Sequence, residues 1–333
     1  MGLVEIGGLL MRLKDLCKKR KIPKMWRFST ETPIIVPSFS SNITFFENKI
    51  KLQELYDNIK ESTPYTSLIS AYDLFHGKLR YDSIFYSDLT FIDSGNYEYL
   101  NQGKEKLDWN LDLYIKALDK LEPTSTICII NFDKYVSYKE QLLIGNQIFS
   151  RYPDALKDFL LKPENNPKDI NELIWNFEKL KNNIEEIGNY DIIGITEKDL
   201  GFTLYERCQN LICLRCLLGS EKPIHIFGCD DPQSVLLYNL LGADIFDGTS
   251  WTRFFFWKGY AFYLKQYSLI STSWTDRIEN NNILAITKNL DQMRRFQSNL
   301  YQFINKNNFD LLDFSKEIIN NIKKILNELG VEY

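Results

Sequence analysis

Residues 223–247 read PIHIFGCDDPQSVLLYNLLGADIFD and contain one complete strand–helix–strand unit. The run 223–227 predicts a strand. Asp231 followed by Pro232 predicts the start of a helix, because Asp caps helix N-termini and proline is tolerated in the first turn. The helix ends before residues 243–246, which predict the next strand. This order predicts two parallel strands joined by a right-handed crossover.

The same alternation of strands and helices continues along the rest of the chain. Further strands are predicted at 34–39, 68–73, 90–95, 126–132 and 191–195, and further helices at 108–121, 137–152, 171–187, 203–218, 290–304 and 311–329. Seven strand candidates in repeated strand–helix units predict an α/β fold of the (β/α)8 TIM-barrel type. A doubly wound sheet is the alternative, but no Gly-x-Gly-x-x-Gly motif follows the first strand.

Composition favours a globular protein of the cytoplasm. The chain has 333 residues, of which 44% are hydrophobic, and a formal net charge of -4, so disordered and fibrous classes are excluded. No apolar run approaches the ~20 residues of a membrane helix, and the N-terminus lacks the basic leader of a secretory signal. The six cysteines are scattered, which favours a reducing compartment over a disulfide scaffold. Two histidines, His76 and His225, are too few for a His-rich metal site.

We expect three parts: a basic N-terminal segment at residues 1–30, the barrel at 31–287, and C-terminal helices at 288–333 that close the barrel. The N-terminal segment carries a run of basic residues opposed only by Asp15. Such a run either follows the phosphates of a nucleic acid or forms a solvated helix face, and charge alone does not separate the two. The residues we expect to contact nucleic acid in this run are Lys18, Lys19 and Arg20.

Four acidic residues end four of the predicted strands. They are Asp93, Asp133, Glu197 and Asp247. In a TIM barrel the C-terminal strand ends meet at one mouth, so we expect these carboxylates to converge there. Such a set suits either a hard metal ion with oxygen ligands or glycosyl transfer, in which one carboxylate attacks the anomeric carbon and another moves the proton. Spacing alone does not separate these two chemistries.

An ordered set of motifs resembles the tRNA-guanine transglycosylase family. The matching stretches are PIHIFG at 223–228, Asp231-Pro232, LGADIFD at 241–247, Thr252-Arg253, Asp-Ser-Gly at 93–95, Asn-Phe-Asp at 131–133 and Gly-Ile-Thr-Glu at 194–197. Each motif is modest by itself, but together they follow the family's order over residues 34–263. As an ordered set they are specific.

The resemblance implies a barrel that exchanges guanine in a polynucleotide for a 7-deazaguanine base, with no cofactor. It implies that Asp247 is the nucleophile on C1′ of the sugar. It implies that Asp93 is the general acid/base, which protonates departing guanine and deprotonates the incoming base. The double displacement, through a covalent glycosyl-aspartate, retains configuration. The residues implied at the base pocket are Asp133, Glu197, Ser94 and Gly95.

The same resemblance implies contacts with the nucleic acid near the end of the barrel. Arg253 would bind a backbone phosphate or a neighbouring base. Trp251 opens an aromatic run at 251–257, in which we expect about half of the rings to pack under the rim and the others, Trp251 among them, to face the nucleotide.

Two features depart from the family pattern. The family's zinc site, a Cys-x-Cys-x-x-Cys with a later His, should follow the Thr-Arg motif. No cysteine follows Cys229 and no histidine follows His225, so we predict no structural zinc. Glu197 stands where the family usually has Gln. A carboxylate only accepts hydrogen bonds, so either the base edge that it reads or its protonation state differs.

Two motif variants are more similar to the divergent DNA-guanine transglycosylases, the DpdA-like branch. They are DSGNYE at 93–98 and FDGTSW at 246–251. That branch inserts a 7-deazaguanine such as preQ0 into DNA, so DNA is the favoured substrate and a partner protein of a modification system is a further expectation. The alternatives are an enzyme acting on tRNA, a glycosylase that only hydrolyses, and a non-catalytic nucleic-acid-binding subunit. The presence of Asp247 disfavours the last.

Overall fold

The computed structural model describes residues 11–22, 30–42, 51–62, 65–101, 107–121, 127–164, 175–271 and 278–333. Eight parallel strands pair in chain order and close into a barrel. A two-residue strand, β1 (Met11–Arg12), precedes the barrel, whose strands are β2 (Ile34–Phe39), β3 (Thr66–Ser70), β4 (Leu89–Asp93), β5 (Ile127–Ile130), β6 (Leu156–Leu160), β7 (Ile192–Thr196), β8 (Ile224–Phe227) and β9 (Ile245–Gly248). The predicted TIM-barrel fold is confirmed.

Helices surround the barrel. They are α1 (Leu13–Leu16), α2 (Leu52–Ile59), α3 (Ala71–Phe75), α4 (Asn96–Leu100), α5 (Leu111–Leu118), α6 (Tyr138–Phe149), α7 (Phe177–Lys181), α8 (Ile184–Ile187), α9 (Leu204–Leu218), α10 (Pro232–Leu240), α11 (Tyr267–Ser271), α12 (Ile278–Lys306) and α13 (Lys316–Glu328). An antiparallel hairpin, β10 (Phe254–Trp257) and β11 (Tyr260–Tyr263), follows β9, and β12 (Val331–Glu332) pairs with β1. None of the helices in the described ranges is both long and apolar enough to span a membrane.

Local sequence signals explain where several of these elements begin. The side chain of Asp231 accepts hydrogen bonds from Gln233 and Ser234 at the start of α10, as the Asp-Pro motif predicts. Thr203 and Glu206 form a capping box at the start of α9. These caps satisfy backbone N–H groups that have no partner inside the helix.

The eighth barrel strand was not among the predicted strands. Residues 156–160 form β6, between the predicted helices at 137–152 and 171–187. The sequence did not predict this strand because it contains Lys157 and Asp158, and charged residues are rare in buried strands. Asp158 is nevertheless fully buried, and it is paired there with His225.

Several predicted boundaries differ from the observed ones. The strand predicted at 68–73 is β3 followed at once by α3, so residues 71–73 are helical. The helix predicted at 311–329 is wrong in its first part. There a short 3-10 turn ends at Asp313, whose positive φ breaks the helix before α13. The predicted boundary between the barrel and the C-terminal helices, at residue 288, lies inside α12. Residues 171–174 of the helix predicted at 171–187 lie outside the described ranges.

Strand alternation decides which side chains face the inside of the barrel. The ring of Phe91 on β4 lies 5.3 Å from that of His225 on β8, a strand that does not neighbour β4, so this face of β4 points inward. Asp93 lies two residues after Phe91 and therefore faces inward as well. Asp247 lies two residues after Ile245, which belongs to the same apolar cluster as Phe91.

The N-terminal segment packs at the end of the barrel where the strands begin. Arg20 and Arg215 both pair with Asp244, directly before β9, at 2.6 and 2.7 Å. All three side chains are almost fully buried. The prediction that Arg20 contacts nucleic acid is wrong, because its buried guanidinium is paired with Asp244 and donates to the backbone carbonyls of Leu16 and Ser220.

Lys18 and Lys19 lie at the same end of the barrel. Lys18 pairs with Glu221, before β8, and the Nζ of Lys19 lies 4.6 Å from the ring centroid of Tyr301. Both lysines are therefore far from the strand-end carboxylates, and nucleic-acid binding by them stays a prediction. Residues 1–10 and 23–29 of the predicted basic segment lie outside the described ranges.

We expect Asp244→Asn to lower the free energy of unfolding by about 3–5 kcal/mol, because two buried guanidinium groups lose their counter-charge. Urea unfolding at pH 7 measures this. The matched control is Asp15→Asn, which removes an exposed pair with Arg12 at 2.8 Å and should change stability by less than about 1 kcal/mol. Equal losses in the two variants would contradict a stabilising role for the buried cluster.

Candidate active site

Asp247 lies inside the barrel near the C-terminal strand ends and is 5% exposed. Its Oδ2 accepts a hydrogen bond of 2.6 Å from the hydroxyl of Ser38 on β2. Its Oδ1 accepts a hydrogen bond of 3.3 Å from the backbone N–H of Gly228, after β8. The carboxylate is therefore held in one orientation by two neighbouring strands.

His225 connects Asp247 to a second buried carboxylate. Its Nδ1 lies 2.6 Å from Oδ2 of Asp158 on β6, and its Nε2 lies 3.2 Å from Oδ1 of Asp247. Burial lowers the pKa of His225, but the charges of Asp158 and Asp247 outweigh this and raise it to about 9. The ring is therefore an imidazolium at neutral pH, so its contribution to stability is present at low pH and lost as pH rises through about 9.

Asp93 ends β4 at the same end of the barrel. Its Oδ2 accepts a hydrogen bond of 2.9 Å from the backbone N–H of Gly95. Burial, reinforced by the charges of Glu98, Asp133 and Asp247, raises the pKa of Asp93 to about 7. Asp93 is thus able to give and take a proton near neutral pH.

Two further buried carboxyl groups, Glu98 and Asp73, interact electrostatically with Asp93. Glu98 accepts a hydrogen bond from the hydroxyl of Ser40, and Asp73 accepts one of 2.8 Å from the backbone N–H of Ser41. Burial and the charge of Asp73 raise the pKa of Glu98 to about 7, and burial raises the pKa of Asp73 to about 6. The carboxyl groups of Glu98 and Asp73 therefore titrate closer to neutral pH than free carboxyl groups do.

Asp133 lies beyond the end of β5 and is paired with a buried lysine. The Nζ of Lys162 lies 3.2 Å from Oδ2 of Asp133 and 2.9 Å from Oδ2 of Asp199. The lysine side chain is 1% exposed, whereas that of Asp133 is 26% exposed. Asp133 therefore has a fixed charged partner on one side and an open face on the other.

Glu197 follows β7 and is also paired. Its Oε1 accepts hydrogen bonds of 3.0 Å from Arg207 and 3.0 Å from the hydroxyl of Tyr238. The predicted contact of Glu197 with a base stays a prediction. One of its oxygens is already bound to protein groups.

Ser94 and Gly95 form the turn that leaves β4. Gly95 has a φ of 81°, and a Cβ at this position would overlap the Cβ of Tyr72, so only glycine fits. The carbonyl of Ser94 accepts a hydrogen bond of 2.8 Å from the indole of Trp109, which holds the turn in place. The Ser94 hydroxyl is buried and has no hydrogen-bond partner among the described residues. A role of these residues in base binding stays a prediction.

The two predicted nucleic-acid contacts near the end of the barrel differ in exposure. Trp251 is 0% exposed and packs edge-on against Phe39, so the prediction that its ring stacks on a nucleotide is wrong. Trp251 lies in a 3-10 turn (Ser250–Thr252) directly after β9 whose Trp251 and Thr252 are buried, and its backbone N–H donates a hydrogen bond of 2.9 Å to the carboxylate of Asp230. Arg253 is exposed, and its binding of phosphate stays a prediction.

Sequence reasoning missed two residues that complete the site, Asp158 and Lys162. Both belong to β6 or directly follow it, and that strand was itself missed. No local signal would have found them, because the run LKDFLLK at 156–162 does not alternate polar and apolar residues. Asp158 belongs to the site through His225, which contacts both Asp158 and Asp247.

Comparison with known proteins gives no family assignment. No protein-family model matches the chain, and a search of curated proteins gives no match. The resemblance to guanine transglycosylases therefore rests on the motifs and stays a prediction.

The arrangement brings together two carboxyl groups in different environments. Asp247 is surrounded by hydrogen-bond donors and a cation, which suits an anionic nucleophile. Asp93 has a pKa of about 7, which suits a general acid/base. Within the described ranges, no group of three or more His, Cys, Asp or Glu side chains is arranged to hold a metal ion.

We expect Asp93→Asn to stabilise the protein at pH 8 by roughly 1–3 kcal/mol, and to have little effect at pH 4. Because the folded state raises the pKa of Asp93, ionisation of this group opposes folding increasingly as pH rises from about 4 through about 7. Urea unfolding at both pH values measures this difference. The matched control is Asp88→Asn, an exposed residue just before the same strand, which should change stability at neither pH. A loss of stability at pH 8 in Asp93→Asn would contradict the assigned environment.

Proposed function

We propose that the protein is a retaining pentosyltransferase that replaces guanine in a polynucleotide with a 7-deazaguanine base such as preQ0. The observation that carries this proposal is the pairing of Asp247 and Asp93. One carboxylate is held among donors beside an imidazolium, and the other has a pKa of about 7 that the charge of the first helps to raise. Two carboxyl groups in different environments, one able to attack and one able to carry a proton, are what a double displacement at an anomeric carbon requires.

In the first step the carboxylate of Asp247 attacks C1′ of the nucleotide. The bond between C1′ and guanine breaks, its electron pair goes to the base, and Asp93 supplies the proton. In the second step the incoming base attacks C1′ as its proton moves to Asp93, and Asp247 leaves as a carboxylate. Two inversions give net retention, and the proton on Asp93 is restored.

The pair of Asp133 and Lys162 supports a guanine-like base as substrate. The ammonium of Lys162 lies 3.2 Å from the carboxylate of Asp133, and a carboxylate only accepts hydrogen bonds. The edge of guanine and 7-deazaguanines that carries an N–H and an amino group offers donors to such an acceptor. Adenine offers a ring nitrogen acceptor at the corresponding place and suits this carboxylate poorly.

DNA is the proposed polynucleotide, with tRNA as the alternative. This preference rests on the similarity of the motifs at 93–98 and 246–251 to the DNA-modifying branch. A base inside a duplex must be extruded before either carboxylate can reach its sugar. We also propose a partner protein of a modification system on the same resemblance, and the cytoplasm as location because the six cysteines are scattered along the chain.

We expect the protein to incorporate radiolabelled guanine into duplex DNA, and Asp247→Asn to reduce this by at least about 10³-fold, because the amide cannot form the glycosyl ester. Asp88→Asn is the matched control and should retain activity. Label entering tRNA alone would contradict the DNA preference. Release of guanine without incorporation of a supplied base would indicate a hydrolytic glycosylase instead.

We expect the kcat/KM of guanine exchange to be constant below pH 7 and to fall about tenfold per pH unit above it, because Asp93 must carry a proton in the first step. Initial rates from pH 5.5 to 9 measure this profile. Asp88→Asn should keep the profile, and Asp93→Asn should lose both the rate and the break. A flat profile in the unaltered protein would contradict the role of Asp93.

A further inference from the structure

The barrel centre contains a buried ion pair that the proposed reaction does not yet use. Asp158 and His225 are both 0% exposed, and the ring of His225 lies between Asp158 and Asp247. Nδ1 lies 2.6 Å from an oxygen of Asp158 and Nε2 lies 3.2 Å from an oxygen of Asp247, and two carboxylates around one ring favour the imidazolium, which is protonated on both nitrogens. The fold thus places a positive charge 3.2 Å from the proposed nucleophile.

The surroundings fix this ring rather than leave it mobile. Phe91 on β4 and Phe227 on β8 pack on the imidazole, with ring centroids 5.3 and 3.9 Å away. Gly194 on β7 leaves space for Phe227 and Asp158, because a Cβ at Gly194 would overlap the Phe227 ring and lie 2.8 Å from Oδ1 of Asp158. Four strands therefore contribute to holding one cation against Asp247.

We propose that the Asp158–His225 pair is a positioning pair that sets how quickly the covalent glycosyl-Asp247 intermediate breaks down. This inference rests on the proposed function and names residues that act through Asp247. In the second step the bond between C1′ and the Asp247 oxygen breaks, and its electron pair stays on that oxygen. A cation at hydrogen-bond distance stabilises the carboxylate that forms, so it speeds this departure.

The same charge acts in the opposite direction in the first step. It stabilises the free Asp247 carboxylate and so reduces its reactivity towards C1′. Removal of the cation should therefore slow breakdown of the intermediate while leaving its formation equally fast or faster. A side chain that only supports the fold would slow both steps together.

The protonation of His225 can be tested without any substrate. The chain has only two histidines, so nitrogen-15 NMR of the protein and of His76→Gln assigns the His225 ring nitrogens. We expect both His225 nitrogens to carry protons at pH 7.5, with loss of one proton near pH 9. A neutral His225 ring at pH 7.5 would overturn the inference and leave the proposed function standing.

The kinetic test uses the double variant Asp158→Asn with His225→Gln. This variant removes the cation together with Asp158, so Asp158 is not left as an unpaired buried charge. Excess protein is mixed with an end-labelled guanine-containing duplex, quenched in denaturant, and the covalent adduct is measured on a denaturing gel. A chase with unlabelled guanine then gives the rate of adduct breakdown. His225→Gln alone is measured in parallel.

We expect adduct breakdown to slow by about 10- to 100-fold in the double variant, with formation within about twofold of the unaltered protein, and kcat and KM to fall together. Equal slowing of formation and breakdown, or unchanged breakdown, would overturn the inference. Absence of both adduct and guanine exchange in the unaltered protein would overturn the proposed function, and the inference with it. The double variant is first checked for the cooperative urea transition of the unaltered protein. If it does not fold, His225→Gln alone, which also removes the cation, should show the same slower breakdown.

Discussion

The contact between His225 and the two carboxylates at the barrel centre is the interaction on which the site depends. A carboxylate without a partner in such a place would be destabilising by several kcal/mol or would take up a proton. The imidazolium gives Asp247 a counter-charge, and Asp158 gives the imidazolium one in turn. Each of the three groups lies on a different strand, so the arrangement exists only when the barrel is closed.

Asp93 has a different environment a short distance away. The hydrogen bond that the structure shows for its carboxylate comes from a backbone N–H. The charged groups that shift its pKa are other carboxylates. Burial and repulsion raise the pKa of Asp93 to about 7, while Asp247 has donors and a cation around it. The two carboxyl groups therefore differ because one cation lies beside Asp247, although both residues are the same amino acid on the same rim.

The strand β6 was not predicted because it contains charged residues that have distant partners. Its sequence has a charged pair, Lys157 and Asp158, where a buried strand is normally apolar. Asp158 is tolerated because His225 neutralises it, and Lys162, just beyond the strand, is tolerated because Asp133 and Asp199 neutralise it. Neither partner is close in sequence, so no local pattern identifies β6 as part of the barrel.

The sequence by itself determined the barrel and the candidate carboxylates at its mouth. Repeated strand–helix signals, an Asp-Pro cap and acids at strand ends are local, so they can be seen without knowing what lies beside them. The tertiary structure decided which charges are buried and what neutralises them. It placed Arg20 and Trp251 in the interior, and it brought Asp158 to His225 and Lys162 to Asp133. Those contacts join residues tens of positions apart, and their energies depend on burial, which only the closed barrel creates.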